Sequence, residues 1–171
     1  GSVVISRVDS GELLASVTYP SYDTNEFSNN FNNSYYIDLI HRTSTTPLVN
    51  RPMSERKAPG STFKMIPALA ALETGLITPN SSITDLGYFT KAAKPYPKCW
   101  IYGSSGRTHG PVNVAHALEV SCNYFFYELA YRFGNRANDT TEQGISILNE
   151  YMAAFGLNDK TGIEIGESAP M

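Results

Sequence analysis

One segment restricts the possible folds more than any other: residues 61–75, which read STFKMIPALAALETG. Its apolar side chains recur at the spacing of one helical face, at Phe63, Ile66, Leu69 and Ala70. Ser61 is a favoured N-cap residue and Gly75 is a typical helix stop, so the pattern predicts a mostly buried helix between them. Pro67 lies inside this helix, where it should kink or tighten the first turns.

The first residues of the chain predict a β-hairpin. Val3–Val8 and Leu13–Thr18 are rich in β-branched residues, and the four residues between them, DSGE, favour a turn. From Tyr19 to Asn50 the chain is polar and has no sustained period, which predicts a long surface connection with one short helix near Tyr35–His41.

Three more helices are predicted in the second half of the chain, after a loop over residues 76–110. The first should start at Pro111, and the second covers residues 123–134. The third, in TTEQGISILNEYMAAFG, should end at Gly156 and bury one face formed by Ile145, Leu148, Met152 and Phe155.

Composition excludes several classes of function. The 171 residues carry a net charge of −3 without a basic cluster, which argues against a nucleic-acid partner. No apolar run reaches the ~18 residues that a membrane span needs. Cys99 and Cys122 are the only cysteines, and free buried thiols are favoured over a disulfide. They and the three scattered histidines show no metal-ligand spacing, so no metal site and no cofactor are expected.

Ser61 and Lys64 have the spacing of a serine nucleophile and its base. Residues i and i+3 are neighbours on the first turn of a helix, so the lysine amine lies within reach of the hydroxyl. If burial lowers the lysine pKa, the neutral amine can take the serine proton. Ser54 and Lys57 repeat the Ser-x-x-Lys spelling, but a Pro-Gly pair follows at once, which favours a solvated loop.

Ser-x-Asn also occurs twice, at residues 28–30 and 121–123. The first copy lies in the polar connection and predicts only a turn. Ser121 and Asn123 lie between two periodic helices, a rigid position from which a hydroxyl and an amide can face a cleft. Taken alone, the second copy is equally consistent with capping of the following helix.

Four short segments resemble the transpeptidase domain of high-molecular-weight penicillin-binding proteins, most closely the class B group. In chain order they read PGSTFK, CW, HG and SCNYFFYELAYRFG. The resemblance extends over nearly the whole chain, because it includes two earlier segments, GELLASVTYPSYDTNEF and PLVNRPMSERKAPGS. It implies an α+β penicillin-binding-protein/serine β-lactamase-like fold, with an antiparallel sheet edge and a mostly α-helical subdomain. The expected organisation is a hairpin at 3–18, a connecting loop at 19–60 and a mostly helical portion at 61–171.

The resemblance also implies the chemistry. Ser61 would be the acylated nucleophile, Lys64 its base, Ser121 a proton relay to the leaving amine, and Asn123 a partner of Lys64 and the substrate amide. The implied activity is the D,D-transpeptidation of peptidoglycan stem peptides ending in D-Ala-D-Ala, with β-lactam antibiotics as inhibitors and other cell-wall synthesis proteins as partners. The implied location is the extracytoplasmic face of the bacterial membrane, with an anchor outside this sequence.

Lys160-Thr161-Gly162 has the spelling of the third motif of such enzymes. The surrounding residues instead resemble an earlier segment of the family, FGxGxxTGIDLxxE, in which the lysine position is variable. We therefore expect the true third motif downstream of Met171, and we expect residues 1–171 to be an incomplete, inactive transpeptidase domain on their own. A β-lactam sensor domain and a serine β-lactamase remain alternative functions.

Overall fold

The computed structural model describes residues 1–28, 30–135 and 141–169. The chain divides into two compact units, Gly1–Lys57 with Lys160–Met171, and Ala58–Asp159. In the described ranges, no helix combines the length and the apolar character that crossing a bilayer requires.

The first unit is built around the predicted hairpin. Strands β1 (Ser2–Ser6) and β2 (Leu13–Thr18) pair antiparallel, with Val4 opposite Ser16 and a register shift after Ile5. Gly11 adopts a φ of +74° in the connection, a conformation that glycine reaches without strain. The hairpin prediction is confirmed.

Three helices follow in the first unit: α1 (Asn25–Ser28), α2 (Asn33–His41) and α3 (Arg51–Ser54). Helix α2 matches the predicted short helix, and Asn32 caps it by accepting a hydrogen bond from the Tyr35 amide at 3.1 Å. The sequence did not predict α1 and α3, because four-residue helices are too short to show a period.

The second unit carries most of the buried apolar residues. A 3₁₀ turn at Gly60–Lys64 leads into α4 (Met65–Glu73), so the helix begins with the tightened turn expected from Pro67. Strands β3 (Ile83–Asp85) and β4 (Gly110–Val112) form a short antiparallel pair, and α5 (Trp100–Ser105) lies between them in the sequence. The prediction that 76–110 is only a loop was therefore wrong in part.

The remaining helices are α6 (Val114–Glu119), α7 (Asn123–Gly134) and α8 (Thr141–Ala154). Pro111 belongs to β4 rather than to a helix start, and Asn113 caps α6 by accepting a hydrogen bond from the His116 amide at 2.9 Å. Helix α7 matches its prediction and supplies three fully buried core side chains, Phe125, Leu129 and Phe133.

The buried face of α8 differs from the predicted one. Of the predicted residues, Leu148 packs against the core, but Ile145 and Phe155 are exposed. Ile147 and Tyr151, which the sequence did not place on this face, also pack against the core. Gly144 explains the rotation, because a Cβ atom at this position would lie 2.5 Å from the carbonyl oxygen of Phe133 in α7. The close approach of the two helices at Gly144 therefore fixes which side of α8 faces inward.

Candidate active site

Ser61 and Lys64 both lie in the 3₁₀ turn that precedes α4. Ser61 does not cap the helix as predicted, because Pro59 is the N-cap residue of the 3₁₀ turn and Lys64 is that of α4. The Ser61 hydroxyl accepts a hydrogen bond from Ser121 instead. The Thr62 hydroxyl, rather than that of Ser61, bonds to the backbone of this turn, by donating a hydrogen bond to the Pro59 carbonyl at 2.6 Å. The Ser61 hydroxyl is thus left available for contacts outside its own turn.

Ser121 lies between α6 and α7 in a left-handed conformation, with a φ of +52°. The Ser121 amide donates to the Leu118 carbonyl at 3.2 Å, and the Cys122 amide donates to the Ala117 carbonyl at 2.8 Å. These two bonds are those of a Schellman motif, whose left-handed position glycine usually occupies. A serine at this position places a hydroxyl where the usual glycine has no side chain.

Lys64 joins the two sequence motifs through its ammonium group. Its Nζ donates to the backbone oxygen of Ser121 at 2.8 Å, to the Ser121 hydroxyl at 2.8 Å and to the Asn123 side-chain oxygen at 2.6 Å. The Phe126 ring lies on another side, with its centroid 5.5 Å from Nζ. A lysine held by three oxygens has a fixed position, which a mobile surface lysine lacks.

The Ser121 hydroxyl also donates to the Ser61 hydroxyl, with the two oxygens 2.9 Å apart. Among the hydrogen bonds of the described residues, Ser61 is therefore linked to Lys64 through Ser121 rather than directly. The sequence indicated that the four residues Ser61, Lys64, Ser121 and Asn123 share one site, and the structure brings them together.

Burial lowers the pKa of Lys64 below its ordinary value of 10.5. The nearby thiols of Cys122 and Cys99 act in the opposite direction, but their effect is smaller. Lowering the pKa increases the fraction of neutral amine at a given pH. The neutral form is the one that can accept a proton from a hydroxyl.

A family model described as the penicillin-binding protein transpeptidase domain matches residues 1–170. The chain belongs to this family. The peptidoglycan D,D-transpeptidase MrdA of Escherichia coli K12 is 35% identical over 168 residues, which cover 97% of this chain and 24% of MrdA. MrdA of Acinetobacter baumannii is 32% identical over 165 residues, 96% of this chain and 22% of that protein. The chain thus spans about a quarter of the length of these curated relatives.

Solved structures of the family have the same fold. Pseudomonas aeruginosa PBP2, determined in complex with WCK 5153, superposes with a TM-score of 0.80 at 30% identity, over 98% of this chain and 35% of that one. The penicillin G acyl-enzyme complex of penicillin-binding protein A from Mycobacterium tuberculosis has a TM-score of 0.78 at 29% identity, over 99% of this chain and 38% of that one. The α+β transpeptidase fold implied by the sequence is confirmed.

The second Ser-x-x-Lys spelling, residues 54–57, is exposed as the sequence predicted, but only residues 55–57 form a loop. Ser54 is the last residue of α3, and Lys57 lies beyond the helix with a side chain that is 79% exposed. Lys57 Nζ pairs with Glu55 at 3.0 Å. For the first Ser-x-Asn spelling, residues 28–30, Asn29 lies outside the described residues.

Lys160-Thr161-Gly162 lies in the first unit, in a segment without strand structure. The Glu167 carboxylate accepts hydrogen bonds from the Thr161 amide at 3.2 Å, from its hydroxyl at 3.0 Å and from the Gly162 amide at 3.2 Å. These bonds lower the pKa of Glu167, with the Thr161 amide contributing most. The threonine and glycine of this spelling thus have local structural partners.

Sequence reasoning missed a buried cluster in the second unit, formed by Asp85, Cys99, His109 and Cys122. One ligand atom from each residue lies within 4.8 Å of the others. His109 Nδ1 is 2.8 Å from Asp85 Oδ2, and the Cys99 sulfur is 3.5 Å from His109 Nδ1 and 3.9 Å from the Cys122 sulfur. Thiolate, imidazole and carboxylate donors at this separation could hold a tetrahedral ion such as Zn²⁺.

Burial and hydrogen bonds shift the pKa values of two residues in this cluster, Asp85 and Cys122. Burial raises the pKa of Asp85, but hydrogen bonds from the Gly87 and His109 amides, with smaller contributions from Cys99 and His109 side chains, more than offset this and lower it. Burial raises the pKa of Cys122 to about 12. The ligand residues are spread over 85–122 without a short repeat, so their proximity could not be found from spacing.

Proposed function

We propose that the full-length protein is a peptidoglycan D,D-transpeptidase that works through an acyl intermediate on Ser61. The hydrogen-bonded chain from Ser61 through Ser121 to Lys64 is the observation that carries this proposal. The names of two relatives support it: the D,D-transpeptidase MrdA, whose match covers 97% of this chain, and the D,D-transpeptidase PbpA, whose match covers 78%.

In the acylation step, Ser61 Oγ attacks the carbonyl carbon of the penultimate D-alanine of a stem peptide. The Ser61 proton moves to the Ser121 oxygen while the Ser121 proton moves to neutral Lys64, so that Lys64 becomes the ammonium ion. The new oxygen–carbon bond forms, and the bond to the terminal D-alanine nitrogen breaks. The same chain returns the proton to this amine as it leaves.

In the second step, an amine of a neighbouring stem peptide attacks the acyl-serine carbonyl. Lys64, neutral again, accepts the amine proton through Ser121, and the serine oxygen leaves with a proton. The products are a cross-linking amide bond and a regenerated Ser61. Water in place of the amine would give hydrolysis instead of a cross-link.

Asn123 has a second role in this proposal. Its side-chain oxygen is occupied by Lys64 at 2.6 Å, which orients the amide nitrogen away from the lysine. Because no hydrogen bond of the described residues uses that nitrogen, it can donate to a substrate carbonyl. A β-lactam carbonyl would meet the same nucleophile and the same donors, which is consistent with the acyl-enzyme complexes of related structures.

We infer that the activity resides at the extracytoplasmic face of the membrane, where peptidoglycan is cross-linked, and that the full-length protein is anchored there. Other cell-wall synthesis proteins are the expected partners. A β-lactam sensor domain would be acylated without forming a cross-link, and a serine β-lactamase would hydrolyse its acyl-enzyme rapidly. The fate of the acyl group therefore distinguishes the three functions.

To test this, purified full-length protein is incubated with a donor peptide ending in D-Ala-D-Ala and an amine acceptor, and the products are identified by mass spectrometry. Release of D-alanine with formation of the acceptor amide is expected, and Ser61→Ala should abolish both. Ser54→Ala is the matched control because it removes the serine of the other Ser-x-x-Lys spelling. Hydrolysis without any acceptor product, or activity that survives Ser61→Ala, would overturn the proposal.

A further inference from the structure

The backbone around Ser121 is held in a conformation that a residue with a side chain rarely adopts. Its φ of +52° lies in the left-handed region, where Cβ crowds the backbone. Two peptide planes meet at the Ser121 Cα atom, and their orientations set the direction of the side chain. The amides of both planes are fixed by the bonds to Leu118 and Ala117 at the end of α6.

The carbonyls of the same two planes are fixed by side chains from elsewhere in the unit. The Ser121 carbonyl accepts a hydrogen bond from Lys64 Nζ at 2.8 Å. The Val120 carbonyl accepts one from the indole nitrogen of Trp100 at 3.0 Å. Each plane is thus held at both its N–H and its C=O group.

The Trp100 side chain is suited to hold the Val120 carbonyl. Trp100 is the first residue of α5, and its ring lies against His109, with ring centroids 5.7 Å apart. The residue is nevertheless 51% exposed, so burial of the ring alone does not account for a tryptophan at this position. The indole N–H is a donor only, and the Val120 carbonyl lies at a helix end, where carbonyls lack helical partners.

We propose that Trp100 is a positioning residue for acylation: its indole N–H fixes the peptide between Val120 and Ser121, and through it the Ser121 hydroxyl. This inference rests on the proposed function, because it concerns the proton path from Ser61 to Lys64. Without the N–H, the peptide can rotate away from the strained conformation, and the Ser121 oxygen leaves its place between the two residues. Trp100 need not touch the substrate for this role.

Two replacements in the full-length protein separate the N–H from the ring. Trp100→Phe removes the donor and part of the ring, whereas site-specific 3-benzothienylalanine replaces only the N–H by sulfur. Both should lower the first-order acylation constant with a fluorescent penicillin by about fivefold, the effect of one hydrogen bond, and leave the non-covalent binding constant unchanged. Tyr102→Phe is the control, because it removes a polar atom from an aromatic residue of the same helix.

The acylation kinetics show whether Trp100 acts through its indole N–H, which would position Ser121, or through the size of its ring. If the benzothienylalanine protein is acylated at the wild-type rate, the N–H has no positioning role. A loss confined to the binding constant would likewise overturn the proposal, because it would mean that the ring acts on the ligand.

Hydrogen–deuterium exchange of the Ser121 and Cys122 amides provides a readout that does not require activity. Both variants should exchange these amides faster, by about fivefold. If wild-type protein is not acylated at all, the proposed function fails, and this exchange still tests Trp100. Unchanged exchange in both variants would overturn the positioning role.

Discussion

The hydroxyl oxygens of Ser61 and Ser121, sixty positions apart in the chain, lie 2.9 Å from each other. Ser121 in turn lies 2.8 Å from Lys64 Nζ, so one serine separates the candidate nucleophile from its base. In the proposed mechanism Ser121 therefore takes part in the first proton transfer, in addition to the relay to the leaving amine that the family resemblance implied.

Ser121→Ala should therefore slow acylation strongly without abolishing binding. Removing the hydroxyl interrupts the proton path, and such acid–base contributions are typically worth about 10²- to 10⁴-fold in rate. Acylation of the full-length protein with a fluorescent penicillin measures the effect. Ser104→Ala, which alters an exposed serine of α5, serves as control. A Ser121→Ala rate within a factor of about two of wild type would remove Ser121 from the path.

The pH dependence of acylation should reflect the lowered pKa of Lys64. Below that pKa the amine is protonated and cannot accept a proton, so the rate should rise with pH as Lys64 becomes neutral. Because burial lowers the pKa of Lys64, the rate should level off below pH 10.5, the ordinary value. Stopped-flow acylation across this range provides the profile. A rate that is independent of pH, or that rises until 10.5, would contradict a buried lysine base.

Gly144→Ala should destabilise the protein, because the new Cβ would meet the Phe133 carbonyl oxygen at 2.5 Å. Helix α8 must then move away from α7, at a cost of about 1–3 kcal/mol in the free energy of unfolding. Gly103→Ala is a matched control, since Gly103 is also helical and its Cβ would meet nothing within 4 Å. Denaturant unfolding measures the stability of the two variants. Equal unfolding midpoints for Gly144→Ala and Gly103→Ala would refute the close packing at Gly144.

The sequence was sufficient where the structure depends on local pattern. The helix at 123–134 and the hairpin at the chain start have clear periods, and their predicted bounds agree with the structure within two residues or so. The association of Ser61 and Lys64 with Ser121 also followed from motif spelling and family resemblance. Each of these features is set by residues that are close in sequence or by a recurring motif.

The parts that the sequence did not predict depend on contacts between distant residues. Pro111 suggested a helix start, yet its pairing with Thr84 places it in β4. The predicted face of α8 included Ile145, but the close approach at Gly144 turns that residue outward. The cluster around His109 combines residues from β3, from both sides of α5 and from the start of α7, and no spacing rule describes it.

Lys160→Ala tests whether Lys160-Thr161-Gly162 takes part in catalysis. Lys160 is exposed, and the two residues after it are bound to Glu167. Removing an exposed lysine should therefore leave the acylation rate of the full-length protein within about twofold of wild type, since surface substitutions typically change stability by no more than ~0.5 kcal/mol. Lys64→Ala, measured in parallel, should be almost inactive. Similar losses in the two variants would identify Lys160 as part of the third motif.

Proteolysis and mass spectrometry of the full-length protein, after reaction with a penicillin, locate the covalent adduct and so test whether Ser61 is the nucleophile. We expect one adduct, on Ser61, that is absent from Ser61→Ala and retained in Ser54→Ala. An adduct on any other serine, or one that persists in Ser61→Ala, would contradict the assignment of Ser61 as the nucleophile.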